Sequence, residues 1–258
     1  MSGQSATGGP DQRNDRAAPP QAAQSWAGDP PQRTFSEQAA AAALLSLTTR
    51  GPYLPWGAGT MRVAGLVAVC NDMVLSARRC LLELGSGTST VVLARLLQQR
   101  WPGGEHRQVA VEHDGAWAGW VRDQLRREGL ADRTTVLHVP LAPHPHGQAG
   151  LPWYDQEQLE AGLDAALDGG AVDILLVDGP PADTADKVLA RYPALPALHG
   201  RLAPGATVVL DDVERPGEQE VLRRWEHDHQ IRFDRRAESA GVALGQLGGS
   251  GAASPVHG

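Results

Sequence analysis

Short, almost wholly apolar runs alternating with helix-like stretches constrain this chain more than any other feature. Residues 80–84, 109–112, 134–139, 173–178 and 206–210 read as strands, with helical patterns at 89–100, 117–128, 155–167 and 186–198 between them. A strand that is apolar along its whole length has no face to give to water. Both faces of such a sheet must be covered, which is the condition met by parallel strands joined through helices. A further helix at 217–228 and two closing strands at 231–234 and 242–247 bring the expected sheet to seven strands. The fold class is therefore α/β, a doubly wound, mostly parallel sheet with helices on both faces.

Two helical segments precede the sheet, 36–47 with Ser36 as its N-cap and 61–75, joined by the loop Gly51-Pro-Tyr-Leu-Pro-Trp-Gly57. Residues 1–33 are rich in Gly, Pro, Gln and Ser, and the tail 248–258 is similar. Neither holds enough apolar surface to offset its ordering entropy, so both are expected to stay unstructured. This leaves one domain over 34–247, with 34–78 as an N-terminal helical region.

Charge and composition remove several classes of function. A net charge of −7 disfavours a nucleic-acid partner, because phosphate neutralisation needs a basic surface. The pairs Arg126-Arg127, Arg223-Arg224 and Arg235-Arg236 are flanked by acids and read as solvated faces. No run approaches the roughly 18 apolar residues of a membrane span. With no secretory leader pattern and only Cys70 and Cys80, the expected location is the cytoplasm.

In a doubly wound sheet, ligands bind beyond the carboxyl ends of the strands, near the point where strand order reverses. The first strand ends in Glu83-Leu-Gly-Ser-Gly-Thr88, and its glycines allow a sharp turn and a close ligand. Thr90 stands where a dinucleotide fingerprint has its third glycine. Glu83 would repel a pyrophosphate and suits a cationic amino-acid ligand better. Glu112 closes the next strand, 25 residues after Gly87, where a carboxylate accepts ribose hydroxyls.

Residues 83–90, 109–114, 173–181 and 208–213 together resemble the successive motifs of the class I S-adenosylmethionine-dependent methyltransferases, over a Rossmann-like core from about residue 62 to 247. The resemblance implies S-adenosyl-L-methionine as cofactor, held by Glu83, Gly85, Ser86, Gly87, Thr88, Glu112, His113 and Asp178. His113 and Asp114 would border the adenine. It also implies a substrate-lining or dimer-forming role for the region ahead of the first strand, including Tyr53, Trp56 and Met61.

Asp178 ends the fourth strand, and Asp211 and Asp212 end the fifth. Neighbouring strands lie about 5 Å apart, so these carboxylates should converge and repel unless a cation relieves them. Hard oxygen ligands suit magnesium, calcium or manganese. The set resembles the metal-dependent O-methyltransferases acting on small molecules such as catechols and macrolide sugars. That resemblance implies Asp178, Asp211 and Asp212 as ligands of Mg2+ and a natural-product-like hydroxyl as methyl acceptor. Asp178 is the candidate base, with Lys187, the chain's single lysine, as a catalytic candidate. Three alternatives stand beside this: Asp211 or Asp212 capping the next helix or pairing with Arg215, metal-free N- or carboxyl-methylation, and a silent cofactor-binding module. Trp153-Tyr154 reads as a lid or as a helix anchor. His144, His146, His227 and His229 read as surface residues, and Asp183 and His199 as lesser candidates.

Overall fold

The described residues of the computed structural model are 31–148, 150–234 and 241–248, with side chains from residue 37 onward. The expected unstructured stretch as far as residue 30, the tail from 249 and the pair Arg235-Arg236 lie outside them.

The first helix, α1, spans Pro31–Ala43, starting five residues ahead of the expected Ser36. Proline suits a first helical turn, where its missing N–H has no intrahelical partner to lose. Then come α2 (Leu45–Thr48), α3 (Val63–Leu75), β1 (Cys80–Leu84), α4 (Thr88–Arg100), β2 (Arg107–Glu112), α5 (Gly115–Arg127) and β3 (Thr134–His138). Two-residue strands β4 (Leu141–Ala142) and β5 (Trp153–Tyr154) pair with each other inside the expected loop. The chain continues through α6 (Gln156–Leu167), β6 (Val172–Val177), α7 (Ala194–Leu198), β7 (Leu202–Asp211), α8 (Pro216–His229), β8 (Arg232–Asp234) and β9 (Val242–Gln246). The helix expected over 186–198 is reduced to a 3-10 turn at Ala185–Lys187 and the short α7. Pro193 and Pro196 cannot donate the backbone bonds that a longer helix needs.

The main sheet has seven strands in the order β3-β2-β1-β6-β7-β9-β8. The first five run parallel, and β9 is antiparallel to both its neighbours. Strand order reverses between β1 and β6, so the turns after Leu84 and Val177 open at one switch point. Alternate residues of β1 enter opposite layers: Leu81 packs with the helices α3, α4 and α5, while Leu82 and Leu84 pack on the other face with Leu159, Leu163 and Trp225. Burial of each such leucine contributes roughly 1.5–3 kcal/mol.

Trp153 and Tyr154 are fully buried in the second layer, which decides for the helix anchor over the lid. Asp155 caps α6 by accepting from the Gln158 N–H at 2.9 Å. No helix among the described residues is long and apolar enough to cross a membrane.

Candidate active site

At the end of β1, Gly85 takes φ +88, a conformation that favours glycine. A Cβ there would lie 3.1 Å from the Asp178 carbonyl carbon, and one on Gly179 would lie 2.8 Å from the Gly85 nitrogen. The turns after β1 and β6 therefore touch backbone to backbone, and glycine is required on both sides. Around this contact the first turn is tied down atom by atom. The Gly87 N–H donates to Thr90 Oγ1 at 2.9 Å, Trp117 Nε1 to the Ser86 carbonyl at 2.7 Å, and Thr88 Oγ1 to the Pro55 carbonyl at 2.6 Å. Thr90 thus supplies a hydroxyl where a dinucleotide fold has only a hydrogen.

Glu112 lies at the end of β2, buried beside the turn. Its Oε2 accepts from the Ser86 N–H at 3.0 Å and Oγ at 3.2 Å; its Oε1 accepts from the Asp114 N–H at 2.9 Å and contacts His113 Nδ1 at 2.9 Å. Burial pushes the Glu112 carboxyl up, but the bonds from His113, Asp114 and Ser86 outweigh it and hold the group below its usual range. The same contact holds the His113 imidazole above its usual range. Asp114 caps α5 through the Ala116 and Trp117 N–H groups, both at 2.9 Å.

The expectation that Glu83 faces the cofactor side of the turn is corrected. Side chains alternate along a strand, and Leu82 and Leu84 take the opposite face. Glu83 is 0% exposed, accepts from Ser89 Oγ at 2.6 Å, and belongs to neither cavity at the turn. It fastens β1 to the first turn of α4. Burial, partly offset by Ser89, Thr90 and Gln108, pushes its carboxyl up to about 7. The folded state holds this proton more tightly than the unfolded chain, so stability is lost as pH rises from the usual carboxylate range through 7. Glu83→Gln should therefore raise stability at pH 8, by on the order of 3 kcal/mol, with the gain vanishing near pH 4. Melting curves at the two pH values check this, and an equal shift at both would refute it.

Across the contact, the acidic cluster forms as expected. Asp178, Asp211 and Asp212 each offer a carboxylate oxygen, all within 4.8 Å of one another. Neighbouring residues on an extended strand would point to opposite faces. Asp212 joins Asp211 because it leaves the strand at φ +59, in the left-handed region that aspartate tolerates.

The cluster already holds a cation that sequence reasoning missed. Arg191, between the 3-10 turn and α7, is buried with its side chain 4% exposed. Its Nη2 lies 3.2 Å from Asp178 Oδ1 and 3.0 Å from Asp212 Oδ2. It also donates to the carbonyls of Asp178 (2.9 Å), Pro180 (3.2 Å) and Asp211 (3.2 Å), so one guanidinium clasps the ends of β6 and β7. The only signal in the sequence was the unbalanced charge at the strand ends, which a buried arginine answers as well as a metal does. Arg215 pairs with Asp212 at 2.8 Å, as one of the alternatives held. Burial still pushes Asp178 and Asp211 above the usual carboxylate range; Arg191 pulls Asp178 back and Asp212 pushes it up, while Asp178 and Asp212 both push Asp211 further up.

These parts meet in one cavity of about 670 Å3, within the roughly 300–1,000 Å3 of small-molecule sites. Its lining includes Gly85, Ser86, Glu112, His113 and Trp117 together with Asp178, Asp183, Arg191, Asp211 and Asp212. An adjoining cavity of about 450 Å3 brings in Gly87, Thr88, Trp56 and Met61 and shares Ser86, Trp117 and Asp178. Tyr53 is 84% exposed and lines neither. Lys187 sits on the 3-10 turn and lines neither cavity, though its charge reaches His113. His199 stacks on His229, and His144 packs against Trp153 with His146 beside it, all outside both cavities. Trp117, Gly59 and Thr60 are further lining residues that the sequence did not single out.

Residues 82–213, about half of the chain, match a family described as a methyltransferase domain. Among solved structures the chain is similar to an SAH-bound methyltransferase of Podospora anserina, PaMTH1, at 14% identity over 83% of this chain and 92% of that one, with a TM-score of 0.56. It is also similar to CalS11, a TDP-rhamnose 3'-O-methyltransferase of calicheamicin biosynthesis, at 17% identity over 86% and 97%, with a TM-score of 0.51. Cofactor-bound Rv0187 from MTB matches at 23% identity over 81% and 89%, with a TM-score of 0.48. No curated protein matches.

Proposed function

The chain belongs to the methyltransferase-domain family as a class I S-adenosylmethionine-dependent enzyme, and we propose that its acceptor is a small-molecule hydroxyl held against the aspartate cluster. The observation that carries this reading is the position of Asp178, Asp211 and Asp212 in the same cavity as the turn after β1. O-methylation of a sugar hydroxyl by the structural neighbour CalS11 is in keeping with it.

S-adenosylmethionine, when bound, supplies an electrophilic methyl group on a cationic sulfur. The residues fit that ligand: Gly85, Ser86 and Glu112 line one cavity, and Gly87 and Thr88 line the one beside it. All four acceptor positions of the Glu112 carboxylate are in use, and the Ser86 hydroxyl, at 3.2 Å, is the bond a ribose hydroxyl most readily replaces. Asp178 takes the acceptor's proton, a role suited to a carboxyl whose affinity for protons has been raised by burial. The cavity walls hold acceptor and cofactor in one orientation, which supplies much of the rate of an in-line transfer.

The three aspartate carboxylates fit a hard divalent cation such as Mg2+ in donor type and spacing. Such an ion, when bound, polarises the acceptor oxygen and lowers its pKa. A metal-free reading, with N- or carboxyl-methylation, draws on a specific observation: Arg191 already supplies a positive charge to Asp178 and Asp212.

Calorimetry with S-adenosylmethionine, with Mg2+ or with EDTA, separates these readings. Saturable cofactor binding and turnover lost in EDTA are expected. Asp211→Asn should lower Mg2+ affinity roughly 100-fold and leave cofactor affinity within about threefold. Turnover indifferent to EDTA removes the metal, and absence of cofactor binding overturns the whole assignment.

A further inference from the structure

Behind the aspartate cluster, on the first turn of α8, stands a carboxylate that the mechanism does not use. Glu218 is 1% exposed, yet neither of its oxygens has a hydrogen-bond partner. A buried carboxylate left without donors is costly and calls for a cause. Its nearest cation is the Arg191 guanidinium, with Nε 4.0 Å from Glu218 Oε1. That is close enough for attraction and about 1 Å too long for a charge-assisted hydrogen bond.

Arg191 is thus flanked by two sets of acids and bonded to one. Its Nη2 holds Asp178 and Asp212, while Glu218 waits on the Nε side. Its Nη bonds to the carbonyls of Asp178 and Asp211 anchor the guanidinium but do not oblige it to keep the carboxylates, and its Nε bond to the Pro180 carbonyl, at 3.2 Å, is free to be exchanged. The charges point the same way. Four carboxyls, of Asp178, Asp211, Asp212 and Glu218, gather about the two cations Arg191 and Arg215, an acidic excess that a divalent cation would relieve.

We infer that Glu218 is the alternative partner of Arg191, taking up the guanidinium when a divalent cation occupies the aspartates. This rests on the metal-assisted reading above. A cation arriving at Asp178 and Asp212 competes with Nη2 for the same oxygens. With Glu218 at hand, the displaced guanidinium closes a short gap to a waiting anion rather than losing its counter-charge in a buried site. Glu218 is a positioning residue: it touches no reacting atom and acts by releasing two ligands.

The test uses the full chain and Mg2+ as the probe. Wild type should bind one Mg2+, and Glu218→Gln should bind it 10- to 100-fold more weakly, the usual range for residues that support metal ligands, with cofactor affinity unchanged. Glu218→Asp, which keeps the charge, should recover most of the affinity. In wild type the Arg191 Nε–H resonance should move on addition of Mg2+, as its acceptor changes from carbonyl to carboxylate; in Glu218→Gln it should stay. Wild-type binding with an equal affinity in Glu218→Gln, or an unmoved resonance at saturating Mg2+, overturns the inference and leaves the metal reading intact. A wild type that binds no Mg2+ overturns both.

Discussion

Arg191→Met should lower the folding stability by about 3–5 kcal/mol and abolish methyl transfer. Methionine fills a similar volume, so the loss comes from bonding rather than from a cavity. Removal of the guanidinium leaves Asp178 and Asp212 facing each other and Asp211 without the charge that the arginine supplied. It also leaves the carbonyls of Asp178, Pro180 and Asp211 without this donor at the ends of β6 and β7. Arg191→Lys keeps a charge but cannot serve five acceptors from one plane, and should recover only part of the loss. Denaturant unfolding and turnover measured on the same preparations check this. A methionine variant as stable as wild type would mean that the acids relieve their repulsion without the clasp.

The second large effect is expected at Gly179. An alanine there puts its Cβ 2.8 Å from the Gly85 nitrogen, 2.9 Å from the Gly85 Cα and 2.8 Å from the Tyr154 hydroxyl. Two of those atoms are backbone and cannot step aside as a flexible side chain does. Over-packing of this kind typically costs about 1–3 kcal/mol. The functional loss should be larger than the stability loss suggests, because the atom pushed is the pivot of the turn proposed to seat the cofactor. Displacements near 1 Å lower turnover by about 100-fold where alignment supplies the rate. Gly179→Ala should therefore remain folded at 25 °C while its kcat/KM for S-adenosylmethionine falls by roughly two orders of magnitude. Calorimetric cofactor binding as tight as wild type, with normal turnover, would show that the two turns separate without consequence.

The sequence carried the sheet and most of the acidic site for physical reasons that particular residues make plain. β1 was legible to the residue because Cys80–Leu84 is a buried run stopped by glycine. The aspartates at 178, 211 and 212 were legible because the carboxyl ends of parallel strands meet at one edge. The side that Glu83 faces was not, since one residue of parity decides between the cavity and the interior. Arg191 was not legible either: no periodicity marks it, and its place depends on how two prolines shorten a helix. The pair β4–β5 is too short to show a period. Lys187 illustrates the opposite case, a residue type suited to the chemistry on a 3-10 turn that lines neither cavity.

The indole of Trp117 is tied to the Ser86 carbonyl and lies against Trp120, ring centroids 4.9 Å apart and nearly parallel at 9°. Two chromophores so placed share their excitation, and their joint signal in near-ultraviolet circular dichroism depends on their mutual angle. A molecule that displaced Ser86 would, through the bond to Trp117, turn one indole against the other. Such a turn would be readable without label, substrate or turnover.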